Sequence, residues 1–193
     1  MTILFVYAHP NPQSFTTSIV SKLVEKAKEK NHDTEIRDLY GLKFNPILSS
    51  NDLQELRTGN IPADIEIEQD LITKADVVVM IYQLWWTQFP AMLKGYIDRV
   101  FSYGFAYQFG DNGLEGLLKG KKVFLVTNMG TPSNIYDESD MFSALNKTSN
   151  VGIFEYCGIE TIEHIFNGGV LRVSEETRKE YVHNSVKAFE AFL

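Results

Sequence analysis

Clusters of hydrogen-bonding residues follow three strongly apolar segments of the sequence. The first cluster is AHPNPQSFT, residues 8–16, which comes directly after TILFVY. It contains the hydroxyl residues Ser14 and Thr16, and Thr17 and Ser18 follow directly. The hydroxyl groups fall where a helical pattern begins, and unpaired N–H groups and the positive dipole end at a helix start attract anions, most often phosphate. An ordinary Ser or Thr N-cap with prolines shaping the turn is the alternative.

This first segment matches neither of the common nucleotide-binding motifs. The chain contains no GxGxxG fingerprint and no GxxxxGK[ST] P-loop. A dinucleotide fold of the classical type and a P-loop nucleotide site are therefore not indicated.

The second cluster is QLWWTQFP, residues 83–90, with Trp85 and Trp86 as candidates. Two adjacent tryptophans at the exit of a strand cannot both face the same core, because consecutive strand side chains point to opposite faces. We expect one tryptophan to pack in the core and the other to flank a planar ligand. Core packing alone is the alternative.

The third cluster is TNMGTPSNIYD, residues 127–137, with Gly130 and Tyr136 as candidates. Glycine permits close approach of backbone to a ligand, and Tyr136 offers a phenol. A plain surface turn is the alternative for this segment alone. Together the three clusters describe a phosphate cup, an aromatic wall and a polar edge, which suits flavin mononucleotide.

Apolar segments alternate with helical patterns along the chain. The pattern predicts strands at residues 3–8, 33–40, 75–83, 121–128 and 160–168. It predicts helices at 15–30, 51–56 with Asn51 as the cap, 64–74, 91–101, 141–154, and from the cap Ser174 to Phe192.

The predicted fold class is α/β. Strands buried on both faces and separated by helices indicate a parallel sheet covered on both sides. Five strands in this length fit a flavodoxin-like doubly wound sheet of order 2-1-3-4-5. In such sheets ligands bind at the carboxyl ends of the strands, where all three clusters fall.

Composition excludes several classes of protein. The 193 residues contain no repeat or linker, so one domain spanning residues 1–193 is expected. A net charge of −7 argues against a nucleic-acid partner. No signal peptide is visible and the longest apolar run, VVVMIY, is too short to cross a bilayer. The single Cys157 excludes an internal disulfide and a cysteine metal cluster, and a cytoplasmic protein without a metal is expected.

Several motifs resemble one family. They are AHPNPQSFT, DLYGLKFNPILS, QLWWTQFPAMLKGYIDRVFSYGFAY, LKGKKVFLVTNMG and YCG, in family order over most of the chain. The chain resembles the NAD(P)H:quinone oxidoreductases of the flavodoxin-like superfamily, including their bacterial members. The resemblance implies that one group of residues holds the phosphate region of a flavin: His9, Ser14, Phe15, Thr16 and Ser18. It implies that a second group surrounds the isoalloxazine: Gln83, Leu84, Trp85, Trp86, Thr127, Asn128 and Gly130.

The resemblance also implies an activity and a dimer. It implies ping-pong, two-electron reduction of quinones or related electrophiles, with NAD(P)H as the hydride donor and Tyr136 at the ring edge. Tyr107 and Phe109 resemble aromatics that cross a homodimer interface to line the substrate pocket, and Tyr156 resembles them in position.

Three departures from the mammalian-type members affect these expectations. The segment DESDMF lacks the histidine that follows the loop tyrosine, and Met129 replaces a glycine. The stretch between Asn51 and Glu68 is shorter, which favours FMN over FAD as the flavin. Three other functions stay open: a one-electron carrier of the flavodoxin type, a flavin-binding regulatory subunit of a membrane transporter, and a domain whose own side chains fill the pocket.

Overall fold

A parallel sheet of five strands forms the centre of the molecule, which we describe from a computed structural model covering residues 1–111 and 113–193. The strands of the chain are β1 (Thr2–Ala8), β2 (Asp33–Asp38), β3 (Val77–Gln83), β4 (Tyr107–Gly110), β5 (Gly113–Gly116), β6 (Lys122–Asn128) and β7 (Glu160–Asn167). The sheet has the order β2-β1-β3-β6-β7 with all neighbours parallel. Numbered within the sheet alone, this is the predicted order 2-1-3-4-5, so the predicted fold is confirmed.

Helices cover both faces of the sheet. They are α1 (Phe15–Glu29), α2 (Ser50–Thr58), α3 (Ala63–Lys74), α4 (Ala91–Val100), α5 (Ser133–Glu138), α6 (Met141–Asn146) and α7 (Glu175–Phe192). After α6 the chain continues as a π-helical segment, Lys147–Phe154, and a 3-10 turn, Glu155–Cys157. Within the described residues, no helix combines the length and the apolar character that crossing a membrane requires.

The core lies on both sides of the central strands because successive side chains alternate between faces. In β1, Ile3 and Phe5 pack with α1 and α7, whereas Leu4 and Val6 pack with the α4 side. All four side chains are fully buried. This double burial explains the continuous apolar runs in the sequence.

One local prediction is wrong, and two elements of the structure were not predicted. Helix α2 is capped by Ser49 and not by Asn51, because Ser49 Oγ accepts from Asp52 N at 3.1 Å while the Asp52 carboxylate accepts from Ser49 N at 3.0 Å. This reciprocal pair is a capping box, which satisfies two helix-end groups at once. The third cluster is not only loop, since it contains α5. Strands β4 and β5 form an antiparallel hairpin that the sequence pattern did not predict.

Candidate functional site

Two cavities open at the carboxyl ends of β1, β3 and β6. The first, called the α1 cavity, has a volume of about 260 Å³. It is lined by His9, Asn11, Ser14, Phe15, Thr16, Gln83, Asn128, Val170, Leu171 and Arg178. It therefore joins the first cluster to residues that follow β7.

The start of α1 presents N–H donors to the α1 cavity. Ser14 is the N-cap, and its Oγ accepts from Thr17 N at 3.1 Å. The N–H groups of Phe15 and Thr16, in the same first turn, have no acceptor among the described residues. These two donors and the helix dipole make the end of α1 attractive to an anion.

Arg178, which sequence reasoning missed, lines the same cavity from the first turns of α7. Its Nε is buried and has no hydrogen-bond partner within the described part of the chain. Among the described residues, the guanidinium of Arg178 forms one hydrogen bond, a long one of 3.5 Å from Nη2 to Val173 O. A buried guanidinium N–H without an acceptor is costly, and an anion in the cavity would satisfy it.

The sequence contains one signal for Arg178. A cation near the beginning of a helix is unfavourable for the helix dipole, and the other charged residues at the start of α7, Glu175 and Glu176, have the favourable sign. An arginine four residues after the cap Ser174 is therefore out of place unless it binds something.

Gln83 lines both cavities and is fixed by His9. His9 Nδ1 lies 3.0 Å from Asn11 N and 3.1 Å from Asn11 O, and His9 Nε2 lies 3.1 Å from Gln83 Oε1. The Gln83 Nε2 group is left as a donor between the cavities.

Three buried polar side chains form a hydrogen-bonded chain beneath the α1 cavity. Asn167 Nδ2 donates to Asn128 Oδ1 at 3.0 Å, and Asn128 Nδ2 donates to Thr16 Oγ1 at 3.1 Å. Each residue is at most 2% exposed. The chain connects β7, β6 and α1, so it fixes the cavity floor to the sheet.

The second cavity, called the Trp cavity, has a volume of about 460 Å³ and is open to solvent. It is lined by Gln83, Leu84, Trp85, Trp86, Thr87, Met129, Gly130, Thr131 and Tyr136. The structure thus brings the second and third clusters together, beside the first.

The two tryptophans do not divide between core and ligand as expected. Trp85 is 46% exposed and Trp86 is 97% exposed, while Leu84 and Phe89 supply the core contacts. The chain reverses here in a tight turn, with paired bonds of 3.1 Å between Trp85 and Gln88. Trp86 and Thr87 occupy its two central positions with φ of 52° and 57°, the type I′ geometry, which turns both side chains away from the sheet.

This turn is strained. A non-glycine residue at positive φ costs about 1 kcal/mol, and a β-branched residue such as Thr87 is an outlier there. Strain of this kind is typical of ligand sites.

In the loop after β6, the N–H of Met129 is already hydrogen-bonded, whereas those of Gly130 and Thr131 are not bonded to any described residue. Met129 N donates to Asn167 O at 2.8 Å, and the Met129 side chain is buried, so it does not block the cavity. The N–H groups of Gly130 and Thr131 have no acceptor in the described ranges. The Tyr136 ring is held edge-on by Phe142, with centroids 5.7 Å apart, and its hydroxyl has no recorded partner.

Two candidate cofactor residues lie outside the linings of both cavities. Ser18 is exposed and its hydroxyl donates to Phe15 O at 2.7 Å. Thr127 is fully buried and faces the other side of the sheet from Asn128, because the two are consecutive in β6.

Thr127 instead forms a hydrogen bond with the partly buried His164. Its Oγ1 is 2.8 Å from His164 Nε2, and His164 Nδ1 is 2.9 Å from Asn150 Oδ1. Asn150 Nδ2 donates to Asn146 Oδ1, so its Oδ1 faces His164 and accepts from Nδ1. Burial lowers the pKa of His164 from 6.5 to about 3, which keeps the ring neutral.

The three candidate substrate residues form a separate aromatic group. Tyr107 contacts Tyr156 and Phe109 edge-on, with centroid distances of 5.3 and 6.4 Å. Phe109 is 63% exposed. Tyr107 lines a third, mainly apolar cavity of about 320 Å³ with Leu48, Leu53, Leu56, Arg57, Asp98, Phe101, Ser102 and Tyr103, here called the hairpin cavity. Within one chain these three aromatics are thus not among the residues that line the α1 and Trp cavities.

A family model described as flavodoxin-like fold matches residues 1–193. An uncharacterized NAD(P)H oxidoreductase from Haemophilus influenzae is 38% identical over 194 residues, covering 100% of this chain and 96% of the relative. The chain belongs to this flavodoxin-like family of NAD(P)H oxidoreductases. The predicted family is thereby confirmed.

Solved structures agree with this membership. Smu.1420 from Streptococcus mutans UA159 is 31% identical with a TM-score of 0.84, covering 99% of this chain and 100% of that one. An NAD(P)H:quinone oxidoreductase from Methanothermobacter marburgensis is 25% identical with a TM-score of 0.87, covering 100% of this chain and 96% of that one.

Proposed function

We propose that the protein is a flavin-dependent NAD(P)H:quinone oxidoreductase. The observation that carries the proposal is the pair of cavities joined by Gln83 at the carboxyl ends of β1, β3 and β6. One has the donors an anion requires and the other has aromatic and amide walls suited to a planar ring. The names of the Haemophilus influenzae and Methanothermobacter marburgensis relatives support the same activity.

The α1 cavity fits the phosphate of a flavin. Its donors are the N–H groups of Phe15 and Thr16 and the buried Nε of Arg178, which lacks a protein acceptor. Charge-assisted hydrogen bonds to an anion are about twice as strong as neutral ones. We favour FMN over FAD, because the stretch between Asn51 and Glu68 is short.

The Trp cavity fits the ring system. Trp85 and Leu84 supply an apolar wall, and the free N–H groups of Gly130 and Thr131 supply donors at one edge. When bound, a flavin supplies two-electron transfer between a nicotinamide and a quinone.

The residues of the chain would stabilise charge on the flavin ring and position the substrate. Donors fixed before the reaction stabilise charge that develops at the ring edge, and this is the role of Gly130 and Thr131 N–H, assisted by the Tyr136 hydroxyl. Trp86, fully exposed on its turn, is placed to cover flat molecules that enter the open side of the cavity.

The aromatic residues of the hairpin support a site that a second copy of the chain completes. Phe109 and Tyr103 are 63% and 59% exposed beside the hairpin cavity, a large apolar surface for a single chain. We propose a homodimer in which Tyr107, Phe109 and Tyr156 of one copy approach the Trp cavity of the other. A cytoplasmic location, a single domain and the roles of Ser18 and Thr127 in flavin binding stay predictions.

The test is flavin binding followed by turnover. Purified protein is titrated with FMN, FAD and riboflavin, and consumption of NADH and NADPH is then followed with and without a simple quinone. We expect FMN to bind and quinone to increase nicotinamide consumption. Protein that binds no flavin contradicts the proposal. Flavin that exchanges electrons only with a protein partner would favour a one-electron carrier.

A matched pair of variants tests the phosphate side. Arg178→Gln should weaken FMN binding by about tenfold or more, because a charge-assisted bond is lost, and should leave riboflavin binding nearly unchanged. The control is Arg172→Gln, since Arg172 is exposed and lies outside the lining of the α1 cavity. Equal losses in both variants would show a general charge effect and not a contact.

A further inference from the structure

A buried residue outside the α1 cavity is hydrogen-bonded to the residues of its floor. The cavity lining includes Thr16 and Asn128, but Asn167 lies behind them at the end of β7. Asn167 is 2% exposed, and its amide bonds the amide of Asn128. An amide pair of this kind has two possible orientations, and they have opposite consequences for the ligand.

The orientation in the structure makes Thr16 a donor. Asn167 Nδ2 donates to Asn128 Oδ1, which leaves Asn128 Nδ2 to donate to Thr16 Oγ1. The Thr16 oxygen is therefore occupied as an acceptor from the protein side. Its hydroxyl hydrogen has no acceptor among the described residues and is free to turn into the cavity.

The reverse orientation would remove that donor. If the Asn128 amide rotated, its Oδ1 would face Thr16 and take the hydroxyl hydrogen for itself. Thr16 would then offer the cavity only lone pairs, which repel an anion. With the Asn167 amide as it stands, rotation of Asn128 alone is disfavoured, because it would place the two Nδ2 groups against each other.

We propose that Asn167 is a positioning residue for the phosphate of the cofactor: through Asn128 it fixes the Thr16 hydroxyl as a donor. The inference rests on the proposed flavin function. Asn167 itself does not line the cavity. Through it, the Thr16 hydroxyl becomes a hydrogen-bond donor to the phosphate, in addition to Phe15 N–H, Thr16 N–H and Arg178 Nε.

The measurement that isolates the effect is the ratio of two dissociation constants, riboflavin over FMN, obtained from quenching of flavin fluorescence. The two ligands differ only in the phosphate, so general damage to the ring site cancels in the ratio. Thr16→Val should lower the ratio by about tenfold, the worth of one hydrogen bond to a charged group. Asn167→Leu should lower it by about three- to tenfold, because Asn128 is then free to rotate.

A double-mutant cycle separates the relay from other effects. If Asn167 acts through Thr16, then Asn167→Leu has no further effect on the ratio in the Thr16→Val background. A ratio that stays at the wild-type value in Asn167→Leu overturns the proposal. So does a reduction of equal size in both backgrounds, because it places the effect elsewhere.

Two further outcomes are distinguished by the same data. If Asn167→Leu does not fold, Asn167→Asp takes its place, since it has the same shape but offers no hydrogen when ionised. Its added negative charge acts in both backgrounds, so only the part of the loss that disappears with Thr16→Val supports the relay, and none disappearing overturns it. Wild-type protein that binds FMN no better than riboflavin overturns the phosphate cup itself, and the relay with it.

Discussion

The partly buried His164 makes the free energy of unfolding depend on pH below about 6.5. Its ring stacks on Phe166 with centroids 4.0 Å apart, and both ring nitrogens are hydrogen-bonded inside the protein. Burial lowers its pKa from 6.5 to about 3. In the unfolded chain the same ring takes up a proton near pH 6.5.

The sign and size follow from this difference. Because the folded pKa is the lower one, the stabilisation from neutral His164 is fully present above the unfolded pKa and is lost as the pH falls from 6.5 toward 3. Each pH unit well inside this window corresponds to about 1.4 kcal/mol. Between pH 6.5 and about pH 4.5, His164 alone should lower the free energy of unfolding by about 2 kcal/mol.

The perturbation is His164→Gln, a neutral side chain that keeps an amide donor and acceptor. Urea unfolding at both pH values gives the free energy of unfolding of each protein. We expect the variant to be less stable than wild type at pH 6.5, through lost packing, but to lose about 2 kcal/mol less on acidification. The control is His183→Gln on the exposed face of α7, which should retain the wild-type pH dependence. Equal acid losses in wild type and His164→Gln would refute the reasoning.

Three other substitutions test the scaffold and the site. Arg99→Met should lower the free energy of unfolding by about 3 kcal/mol in urea unfolding, because Arg99 is buried and bonded to Asp52 at 3.0 Å, whose carboxylate would be left unpaired; a loss below about 1 kcal/mol would contradict this. Gly95→Ala should be destabilising by about 1–3 kcal/mol in the same assay although alanine favours helix, since its Cβ would lie 2.0 Å from Pro46 O; a neutral result would show that α4 can shift. Tyr136→Phe should lower steady-state turnover by at least about tenfold with little change in FMN affinity, and unchanged turnover would remove the phenol from the mechanism.

The strands and their order could be predicted because burial on both faces of a sheet requires continuous apolar segments in the sequence. β1, β3 and β6 are continuous apolar runs, and parallel strands connected by helices restrict the topology to few arrangements. The hairpin of β4 and β5 contains no such apolar segment. It pairs YQFG with GLEG, and three of these eight residues are glycine, which is depleted in strands.

The candidate site was only partly predictable. His9, Gln83 and Gly130 line the cavities as their positions after strands suggested, because the carboxyl ends of parallel strands meet at one edge. The expectation that one tryptophan packs in the core was wrong. Asn and Gly are the residues typical of a type I′ turn, so the sequence Trp86-Thr87 did not predict a turn of this type.

Local periodicity and the geometry of parallel strands were enough to predict the α/β class, the sheet order and the segments that carry the site. Which side chains meet depends on the folded arrangement of distant segments. Arg178 reaches the start of α1, and Asn167 bonds Asn128 while Thr127 faces away toward His164. Such contacts join residues far apart in the chain and depend on side-chain direction and hydrogen-bond polarity, which the spacing of residues along a sequence does not record.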